Sequence, residues 1–301
     1  MVSWENVTKV FATDLLKSAV VALDDVSFSL REGSMTGYLG ANGAGKTTSL
    51  KIALGFTAAS KGKIRFSPVL GASPKEALAR TGFLPERPYF YPHLTGGEFS
   101  DYMGALSGVP RTSLTKRRQH LAERLKIDHA LNRPLRTYSK GMLQRMGFLV
   151  AVQHDPALVI LDEPLSGLDP VGRKEFKDMM GEINRQGKTV FFSTHVVSDV
   201  EETCDEVVFL RQGKLAFSGG VADLMARHAS RRFRVVLAAS PDACWDTPTV
   251  SSLYHAGVWT LVVEDAYREG LVREAVGAGA GLLGVSPEGA SLEEIFYGLQ
   301  S

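Results

Sequence analysis

Two largely apolar segments lie in the middle of the chain, ALVIL at 157–161 and KTVFFSTH at 188–195. Runs of this kind are typical of strands that are buried on both faces of a sheet. The residues between them predict a helix, because Asp169 can cap its start, Pro170 suits its first turn and Gly187 can end it. Strand, helix and strand in this order predict a parallel sheet with crossover helices.

Other segments alternate between apolar and polar positions, which predicts strands with one exposed face. LDDVSFSL at 23–30 and GKIRF at 62–66 are short strands of this type. EVVFLRQGKLAFSG at 206–219 predicts a hairpin that turns at Gln212 and Gly213. Together these segments predict a small antiparallel β layer beside the parallel core.

Helical periodicity dominates from about 94 to 153, which predicts a helical insertion. The pattern changes again after about Arg231. The segments that follow predict strands at RFRVVLA (232–238), VWTLVVE (258–264) and GLLGV (281–285), and helices at YREGLVREAV (267–276) and SLEEIFYGLQ (291–300). We therefore predict a main α/β domain over 1–230 and a small accessory α/β domain over 231–301.

The composition restricts the class of function. The chain has 301 residues, of which 44% are hydrophobic, enough for a sizeable core. Lys and Arg number 34 against 33 Asp and Glu, so the net charge of +1 provides no general field for holding DNA or RNA. Short basic clusters at 116–118 and 231–232 are typical of solvated surfaces and receive no function. No nucleic-acid partner is expected.

The cysteine content and the hydropathy of the chain indicate the cellular compartment in which we expect it to function. Cys204 and Cys244 make no disulfide framework, and the first residues, MVSWENVTKV, lack the apolar segment of a signal peptide. No stretch approaches the roughly 20 predominantly apolar residues that cross a bilayer. We expect a cytoplasmic protein, and any membrane pore that it serves belongs to another chain.

The glycine-rich stretch YLGANGAGKTTSLK at 38–51 is the first candidate site. Gly40-x4-Gly45-Lys46-Thr47 fits the phosphate-binding loop, in which backbone N–H groups and a helix N-terminus attract an anion. SMTGYLG before the loop predicts a short strand and KTTSLKIALGF after it a helix, which is the order this motif requires. That order disfavours the alternative, a glycine-rich turn without a ligand. The residues predicted to bind a polyphosphate are Gly40, Asn42, Gly43, Ala44, Gly45, Lys46, Thr47 and Thr48.

Adjacent carboxylates, Asp162 and Glu163, follow the apolar run ALVIL. The chain turns at the end of a strand, so one carboxylate can reach a metal ion while its neighbour faces the substrate. Nucleotide hydrolysis needs both functions, because Mg²⁺ bridges the β- and γ-phosphates and is bound by hydroxyl and carboxylate oxygens. We predict Thr47 and, through water, Asp162 as Mg²⁺ ligands, and Glu163 as the general base. The alternative is a capped strand end with two solvated acids.

Further motifs follow in a fixed order: YSKGMLQR at 138–145, SGLD at 166–169 and STH at 193–195. With the phosphate-binding loop and VILDEP, they resemble the signature, D-loop and switch histidine of the ATP-binding cassette (ABC) ATPases over roughly residues 1–225. The resemblance implies an α/β P-loop NTPase fold with a RecA-like parallel core, a small antiparallel β layer and a helical insertion. Within that family, the YSKGM signature and the SLEEIF segment are similar to single-cassette subunits of bacterial exporters with a C-terminal extension.

The signature helix is a second candidate anion site. Ser139 can cap the helix KGMLQRMGFLVAVQ, so the free N–H groups and the dipole of its first turn attract phosphate. In the family, the signature of one cassette closes over the ATP held by another. The resemblance therefore implies a head-to-tail homodimer in which Ser139 and Gly141 of one copy contact the ATP of the other.

The same resemblance implies roles for single residues. Phe11 would stack on adenine, although an ordinary strand aromatic is the alternative for this side chain. His195 would hold the γ-phosphate and the attacking water beside Lys46. Asp169 would communicate between the two sites.

The chain departs from the family pattern at several positions. Glu86 in GFLPERP stands where the family usually has a glutamine that contacts Mg²⁺, so Glu86 is a further candidate metal ligand. Lys140 and Met142 replace the commoner glycine and glutamine of the signature. Lys140 would add positive charge near the γ-phosphate of the partner copy, and we interpret these changes as marks of a subtype that remains active.

The function that the resemblance implies is ATP hydrolysis by a transporter subunit at the inner face of the cell membrane, coupled to a separate membrane-spanning permease and to export. RPYFYPHL at 87–94 places Tyr89, Phe90 and Tyr91 where such a permease would dock, and packing inside the insertion is the alternative. A cassette protein acting on ribosomes or nucleic acid is a second hypothesis, and a nucleotide sensor without hydrolysis is a third. The sequence does not indicate the cargo.

Overall fold

The computed structural model describes residues 1–12, 19–227, 231–288 and 292–300. The chain divides into two units, Met1–Gly220 and Val221–Ser301. The division falls after Gly220, whereas the sequence prediction placed the domain boundary between residues 230 and 231.

The first unit alternates strands and helices. Its strands are β1 (Val2–Phe11), β2 (Val20–Leu30), β3 (Met35–Leu39), β4 (Lys61–Phe66), β5 (Thr81–Leu84), β6 (Leu158–Leu161), β7 (Thr189–Thr194), β8 (Glu206–Arg211) and β9 (Lys214–Gly220). Its helices are α1 (Lys46–Ala53), α2 (Pro74–Ala79), α3 (Gly96–Leu106), α4 (Arg111–Arg124), α5 (Lys140–Val152), α6 (Pro170–Arg185) and α7 (Val197–Thr203).

The described strands of this unit include a six-stranded sheet in the order β5-β6-β7-β3-β8-β9. All neighbouring pairs are parallel except β8 and β9. Strands β3, β6 and β7 are buried along their whole length, as the apolar runs predicted for β6 and β7 require. Leu161 lies opposite Phe192, and Leu39 lies opposite Thr194. The carboxyl ends of these three strands therefore meet at one edge of the sheet, where the glycine-rich loop begins.

A second sheet is antiparallel, with the order β2-β1-β4 among the described strands. It confirms the predicted antiparallel layer for 23–30 and 62–66. The prediction was wrong for the hairpin at 206–219, which belongs to the six-stranded sheet. The physical reason is that Val207 to Leu210 of β8 are all buried, and β8 pairs in parallel with β3.

The helical insertion at 94–153 contains α3, α4 and α5. Thr95 caps α3, because its hydroxyl accepts a hydrogen bond from the Glu98 backbone N–H while Glu98 bonds back to the Thr95 backbone. Asp169 caps α6 as predicted, through a 3.1 Å hydrogen bond from the backbone N–H of Gly172. The starts of α3 and α6 therefore have a local cause in the sequence.

Two groups of buried side chains stabilise the first unit. One packs the insertion helices α3, α4 and α5 with α6 against the sheet. The other lies between the two sheets and contains stacked aromatic rings, with Trp4 and Phe28 centroids 4.2 Å apart and Tyr38 and Phe191 centroids 5.1 Å apart. Such pairs contribute about 0.5–1.5 kcal/mol each beyond the area they bury. This packing fixes the strand that leads into the glycine-rich loop.

The second unit combines a sheet and helices, as predicted. Its described elements are α8 (Val221–Arg227), β10 (Arg232–Ala238), β11 (Ser251–His255), β12 (Val258–Glu264), α9 (Asp265–Gly277), β13 (Gly281–Pro287) and α10 (Leu292–Gln300). The described strands form an antiparallel sheet in the order β11-β12-β10-β13. Buried residues of β10 and β12 pack with Leu271 and Ala275 of α9. Strand β11 was not predicted, and Ser291 of the predicted last helix lies outside the described residues.

The helices in the described part of the chain are short, and the longest, α6, has 16 residues. None of them has the length and apolar character that a membrane crossing requires.

Candidate functional site

The glycine-rich loop joins β3 to α1 and is closely surrounded by backbone. A Cβ on Gly40 would stand 2.5 Å from the carbonyl oxygen of Leu210, and one on Gly45 would overlap the carbonyl oxygen of Ala22. Gly45 also has φ of +105°, which L side chains rarely adopt. Both glycines are therefore required by the fold of the loop itself. Their absent side chains let the loop pass close to the carbonyl groups of Leu210 and Ala22 on its way into α1.

A cleft of about 400 Å³ opens above this loop. Of the predicted site residues, it brings together most of the loop, Glu86, Glu163 and His195. The residues that line it are Val20, Val21, Ala22, 41–48, Glu86, Glu163, Ser166 and His195. This is the site that the motif spacing predicts.

Lys46 is the buried cation of the cleft. Its Nζ donates a 2.6 Å hydrogen bond to the carbonyl oxygen of Gly40 and lies 3.5 Å from Glu163 Oε1. Burial lowers the pKa of Lys46 from its ordinary value, and the neighbouring carboxylates Glu163, Asp162 and Glu86 oppose that shift. A cation withdrawn from water in this way is well placed to attract a phosphate group.

Glu163 connects both sides of the cleft. Its Oε2 lies 3.0 Å from Nδ1 of His195, and its Oε1 is buried without a hydrogen-bond partner among the described residues. The 3.5 Å approach to Lys46 is an ion pair and does not satisfy this oxygen by hydrogen bonding. The backbone of Glu163 has φ of +48°, an uncommon conformation for a non-glycine residue. A carboxylate that is held in the cleft between Lys46 and His195 has the arrangement of a general base.

Asp162 lies behind Glu163 and is 2% exposed. The Ser193 hydroxyl donates a 2.6 Å hydrogen bond to Asp162 Oδ1 and accepts a 2.9 Å bond from the backbone N–H of Glu163. The sequence predictions assigned no role to Ser193. The available signal was a serine at the end of a buried strand, two residues before His195.

The predicted metal ligands fit a Mg²⁺ ion that a nucleotide helps to bind. Thr47 and Glu86 line the cleft, and Asp162 is buried behind it. Their hydroxyl and carboxylate oxygens are the ligands that Mg²⁺ prefers. Within the described residues, no group of three or more His, Cys, Asp or Glu side chains would hold a metal without other ligands. Mg²⁺ in nucleotide sites takes one or two carboxylates and obtains the rest from phosphates and water. Glu163 Oε1 has an ion pair with Lys46 but no hydrogen bond within the described residues, which is consistent with a polar occupant beside it.

A larger cleft, about 670 Å³, lies along α6 and the end of α7. None of the predicted site residues lines it. Arg173 and Lys177, two of its cations, already pair with buried Asp199 at 2.7 and 3.3 Å. These ion pairs join α6 to α7, and the predicted site residues lie in the smaller cleft instead.

Comparison with known proteins identifies the family. A family model described as ABC transporter matches residues 23–166. An uncharacterized ABC transporter ATP-binding protein of Synechocystis sp. is 40% identical over 228 residues, which are 74% of this chain and 63% of that relative. Another, from Nostoc sp., is 39% identical over 229 residues, or 75% of this chain and 68% of the relative. NatA, an ABC transporter ATP-binding protein of Bacillus subtilis, is 33% identical over 212 residues, or 69% of this chain and 85% of NatA.

This chain belongs to the ABC transporter ATP-binding proteins. The chain spans less than two thirds of the Synechocystis relative, at 63% of its length.

Solved structures share the fold of the first unit. An ATP-binding subunit of an ABC transporter has a TM-score of 0.66 at 26% identity, covering 75% of this chain and 92% of that protein. A dimeric ATP-binding cassette, solved in a post-hydrolysis state with ADP and Pi, has a TM-score of 0.66 and covers 73% of this chain and 99% of its own. Because its sequence identity is 21%, this likeness shows only that the fold is shared. The first unit therefore has the predicted P-loop NTPase fold of an ABC cassette.

The signature residues of the ABC cassette lie at the start of α5. The Ser139 hydroxyl accepts a 3.2 Å hydrogen bond from the backbone N–H of Met142, which confirms the predicted cap. Ser139, Gly141 and Asp169 are not among the residues that line the cleft of their own chain. Their predicted contacts with ATP remain predictions.

Lys140 lies against the D-loop of its own chain. The position that a Cβ of Gly167 would take is occupied by the end of the Lys140 side chain. The ammonium therefore contacts the D-loop in this structure, which differs from the predicted position near the phosphate of a partner copy. Gly167 leaves the space that makes this contact possible.

Phe11 lies at the end of β1, opposite Val20, which lines the cleft. Its side chain is 41% exposed, and Lys9 Nζ lies 4.8 Å from its ring centroid. Phe11 is thus accessible to a base at the mouth of the cleft. Its predicted stacking on adenine remains a prediction.

The aromatic residues of 87–94 divide between the two alternatives. Phe90 packs on Phe99 at a centroid distance of 5.2 Å and belongs to the insertion core. Tyr89 is 80% exposed, and Tyr91 packs edge-on against Tyr102 while remaining exposed. Tyr89, Tyr91 and Tyr102 form an exposed aromatic patch.

Proposed function

We propose that this chain hydrolyses ATP with Glu163 as general base, and that it does so as the energy-supplying subunit of a membrane transporter. The observation that carries the proposal is the position of the Glu163 carboxylate, between Lys46 and His195 and facing the cleft. A base in that position is within reach of a water that attacks the terminal phosphate.

Each residue of the cleft has a distinct part in this proposal. The loop N–H groups and Lys46 bind the phosphates, and Glu163 takes the proton of the attacking water. His195, held at 3.0 Å from Glu163, orients that water and the γ-phosphate. Thr47 and Asp162 would hold Mg²⁺, with Glu86 as a further candidate, and the ion would neutralise phosphate charge when bound.

Replacement of Glu163 tests the proposed base. Glu163→Gln preserves the size of the side chain but removes its basicity, so we expect ATP turnover to fall by about 10²–10⁴ while ATP binding persists. Phosphate release measures turnover, and a fluorescent ATP analogue measures binding. The matched control is Glu202→Gln, an exposed glutamate outside the cleft, which should turn over ATP normally. Full turnover by Glu163→Gln would refute the assignment.

We infer that two copies form the competent unit, head to tail. Ser139 and Gly141 do not line the cleft of their own chain, and the capped start of α5 is available for a nucleotide held by another copy. A cassette with this fold has been solved as a dimer with ADP and Pi. Glu163→Gln with ATP and Mg²⁺ should therefore elute as a dimer in size-exclusion chromatography and return to a monomer when ATP is removed.

We further propose that a membrane-spanning permease is the partner and that the cassette works at the inner face of the cell membrane. Membership of the ABC transporter family supports this partner, and the exposed patch of Tyr89, Tyr91 and Tyr102 offers an apolar docking surface. Export is the proposed direction, because YSKGM and the C-terminal extension resemble exporter subunits. A permease that copurifies with the chain would support the proposal, whereas cosedimentation with ribosomes would favour the alternative.

A further inference from the structure

Ser193 lies between the carboxylate of Asp162 and the backbone N–H of Glu163, the two residues that follow β6. It occupies β7, directly after Phe192, whose register partner on β6 is Leu161, the residue before Asp162. On the other side, Ser193 lies opposite Tyr38 of β3, two residues before the phosphate-binding loop. The parallel pairing of these three strands therefore places one hydroxyl at the centre of the catalytic edge of the sheet.

The hydrogen-bond directions at Ser193 follow from its neighbours. A hydroxyl has one proton to donate and lone pairs that accept. The backbone N–H of Glu163 can only donate, so it uses a lone pair of Ser193 Oγ at 2.9 Å. The Ser193 proton then goes to Asp162 Oδ1 at 2.6 Å. Since Ser193 is completely buried, water does not replace either bond.

Both bonds act on geometry that the reaction needs. The bond to Oδ1 sets the rotation of the Asp162 carboxylate and so determines the direction of its other oxygen. The bond from the Glu163 N–H restrains a residue whose φ is +48°, a conformation that neighbours must hold in place. The Glu163 side chain starts from this restrained backbone and reaches Lys46 and His195. A small rotation at Glu163 would move its carboxylate away from both.

We propose that Ser193 is a positioning residue that sets, through one hydroxyl, the orientation of both the Mg²⁺ ligand Asp162 and the general base Glu163. It touches neither nucleotide nor water itself. This inference rests on the roles proposed above for Asp162 and Glu163. Groups that orient a metal ligand typically change metal affinity or activity by about 10- to 100-fold when removed.

The test compares Ser193→Ala with Ser193→Thr. We expect the alanine variant to lose about 10- to 100-fold in kcat, with KM for ATP changed by less than about twofold, because the interaction it removes orients the reacting groups and does not bind ATP. The threonine variant retains the hydroxyl and should recover most of kcat. The matched control is Ser100→Ala. Ser100 is equally buried, but its hydroxyl bonds to Gln153 in the helical insertion, so its loss should lower thermal stability without lowering kcat.

A binding measurement supplies a readout that does not depend on turnover. Electron paramagnetic resonance of Mn²⁺, used in place of Mg²⁺ with a non-hydrolysable ATP analogue, reports the affinity of the metal for the site. Ser193→Ala should bind Mn²⁺ about tenfold more weakly than the unmodified chain, and Ser193→Thr about as tightly. A purely structural role predicts a lower melting temperature with unchanged Mn²⁺ affinity.

The results of these experiments distinguish a failure of the inference on Ser193 from a failure of the proposed function. Unchanged kcat and Mn²⁺ affinity in Ser193→Ala, or a threonine variant no better than the alanine variant, would overturn the role of Ser193. A loss of kcat that Ser100→Ala reproduces would overturn it as well. If Glu163→Gln retains full turnover, the proposed function fails instead, and the Mn²⁺ measurement still decides whether Ser193 orients Asp162.

Discussion

Gly45 shows how one missing side chain determines whether the loop forms. Its φ of +105° and the carbonyl oxygen of Ala22 both exclude a Cβ. Gly187 after α6 has a similar φ of +85° but no atom within 4 Å of a Cβ position. Alanine substitutions at the two positions therefore separate the free-energy cost of the backbone conformation, which both share, from the cost of a steric collision, which only Gly45 has.

We expect Gly45→Ala to destabilise the protein more than Gly187→Ala. Alanine at φ above zero costs about 1 kcal/mol or somewhat more, and this applies at both positions. At Gly45 the collision adds to it and displaces the loop, so total destabilisation above about 2 kcal/mol and loss of ATP binding are expected. Urea denaturation and titration with a fluorescent ATP analogue measure the two effects. Equal stability of both variants, with ATP binding intact, would contradict this account.

The sequence identified the reactive groups but not all the residues that hold them. The motifs and their resemblance to the ABC ATPases were sufficient to predict one site for Lys46, Glu163 and His195, and the structure brings these residues together in one cleft. Ser193 was not found, because its partners depend on the pairing of β6 with β7 across 31 residues of chain. No local pattern specifies that contact.

Helix α3 begins at a capping box that the sequence encodes locally. Besides accepting from the Glu98 N–H, Thr95 donates from its hydroxyl to Glu98 Oε2 at 2.9 Å. The helix carries Tyr102, which belongs to the exposed aromatic patch. The cap therefore stabilises the helix on which part of the proposed docking surface lies.

Thr95→Ala should lower the free energy of unfolding by about 1 kcal/mol, because the first turn of α3 loses its side-chain acceptor. Thr95→Ser keeps the hydroxyl and should remain within about a few tenths of a kcal/mol of the unmodified chain. Urea denaturation followed by circular dichroism measures both. The account is wrong if the serine and alanine variants are equally destabilised.

Two β elements show why local pattern was insufficient. In β1 the buried positions are Val2, Trp4 and Val7, because the register shifts after Trp4 and Asn6 has φ of +51°. Such a bulge breaks the alternation by which a strand is predicted. The hairpin of β8 and β9 was predicted correctly at its turn, where Gln212 and Gly213 both have positive φ, but was assigned to the wrong sheet.

The first unit contains its own core. The two buried groups described above draw their residues from within Met1–Gly220, and the ATP cleft is also built from these residues. The second unit has a separate core around β10, β12 and α9. Folding of the cassette therefore does not require the buried residues of the second unit.

A chain that ends at Gly220 should fold cooperatively and bind ATP. We expect a single thermal unfolding transition, near-ultraviolet circular dichroism of a packed core, and binding of a fluorescent ATP analogue. The matched control is the same shortened chain with Lys46→Ala, which should fold but bind the analogue weakly, because the buried cation of the cleft is missing. A shortened chain without a cooperative transition would show that residues 221–301 are needed for the cassette to fold.

The motifs and their order in the chain predicted the fold family, a phosphate-binding loop, and the lysine, acid and histidine that the cleft brings together. These follow from the sequence because each depends on a few neighbouring residues whose backbone needs and chemistry are local. The sheet to which the hairpin belongs, the strained backbone of Glu163 and the hydroxyl that bridges Asp162 to it appear only in three dimensions. They depend on which strands pair, and that is decided by the burial of apolar side chains distant in the chain.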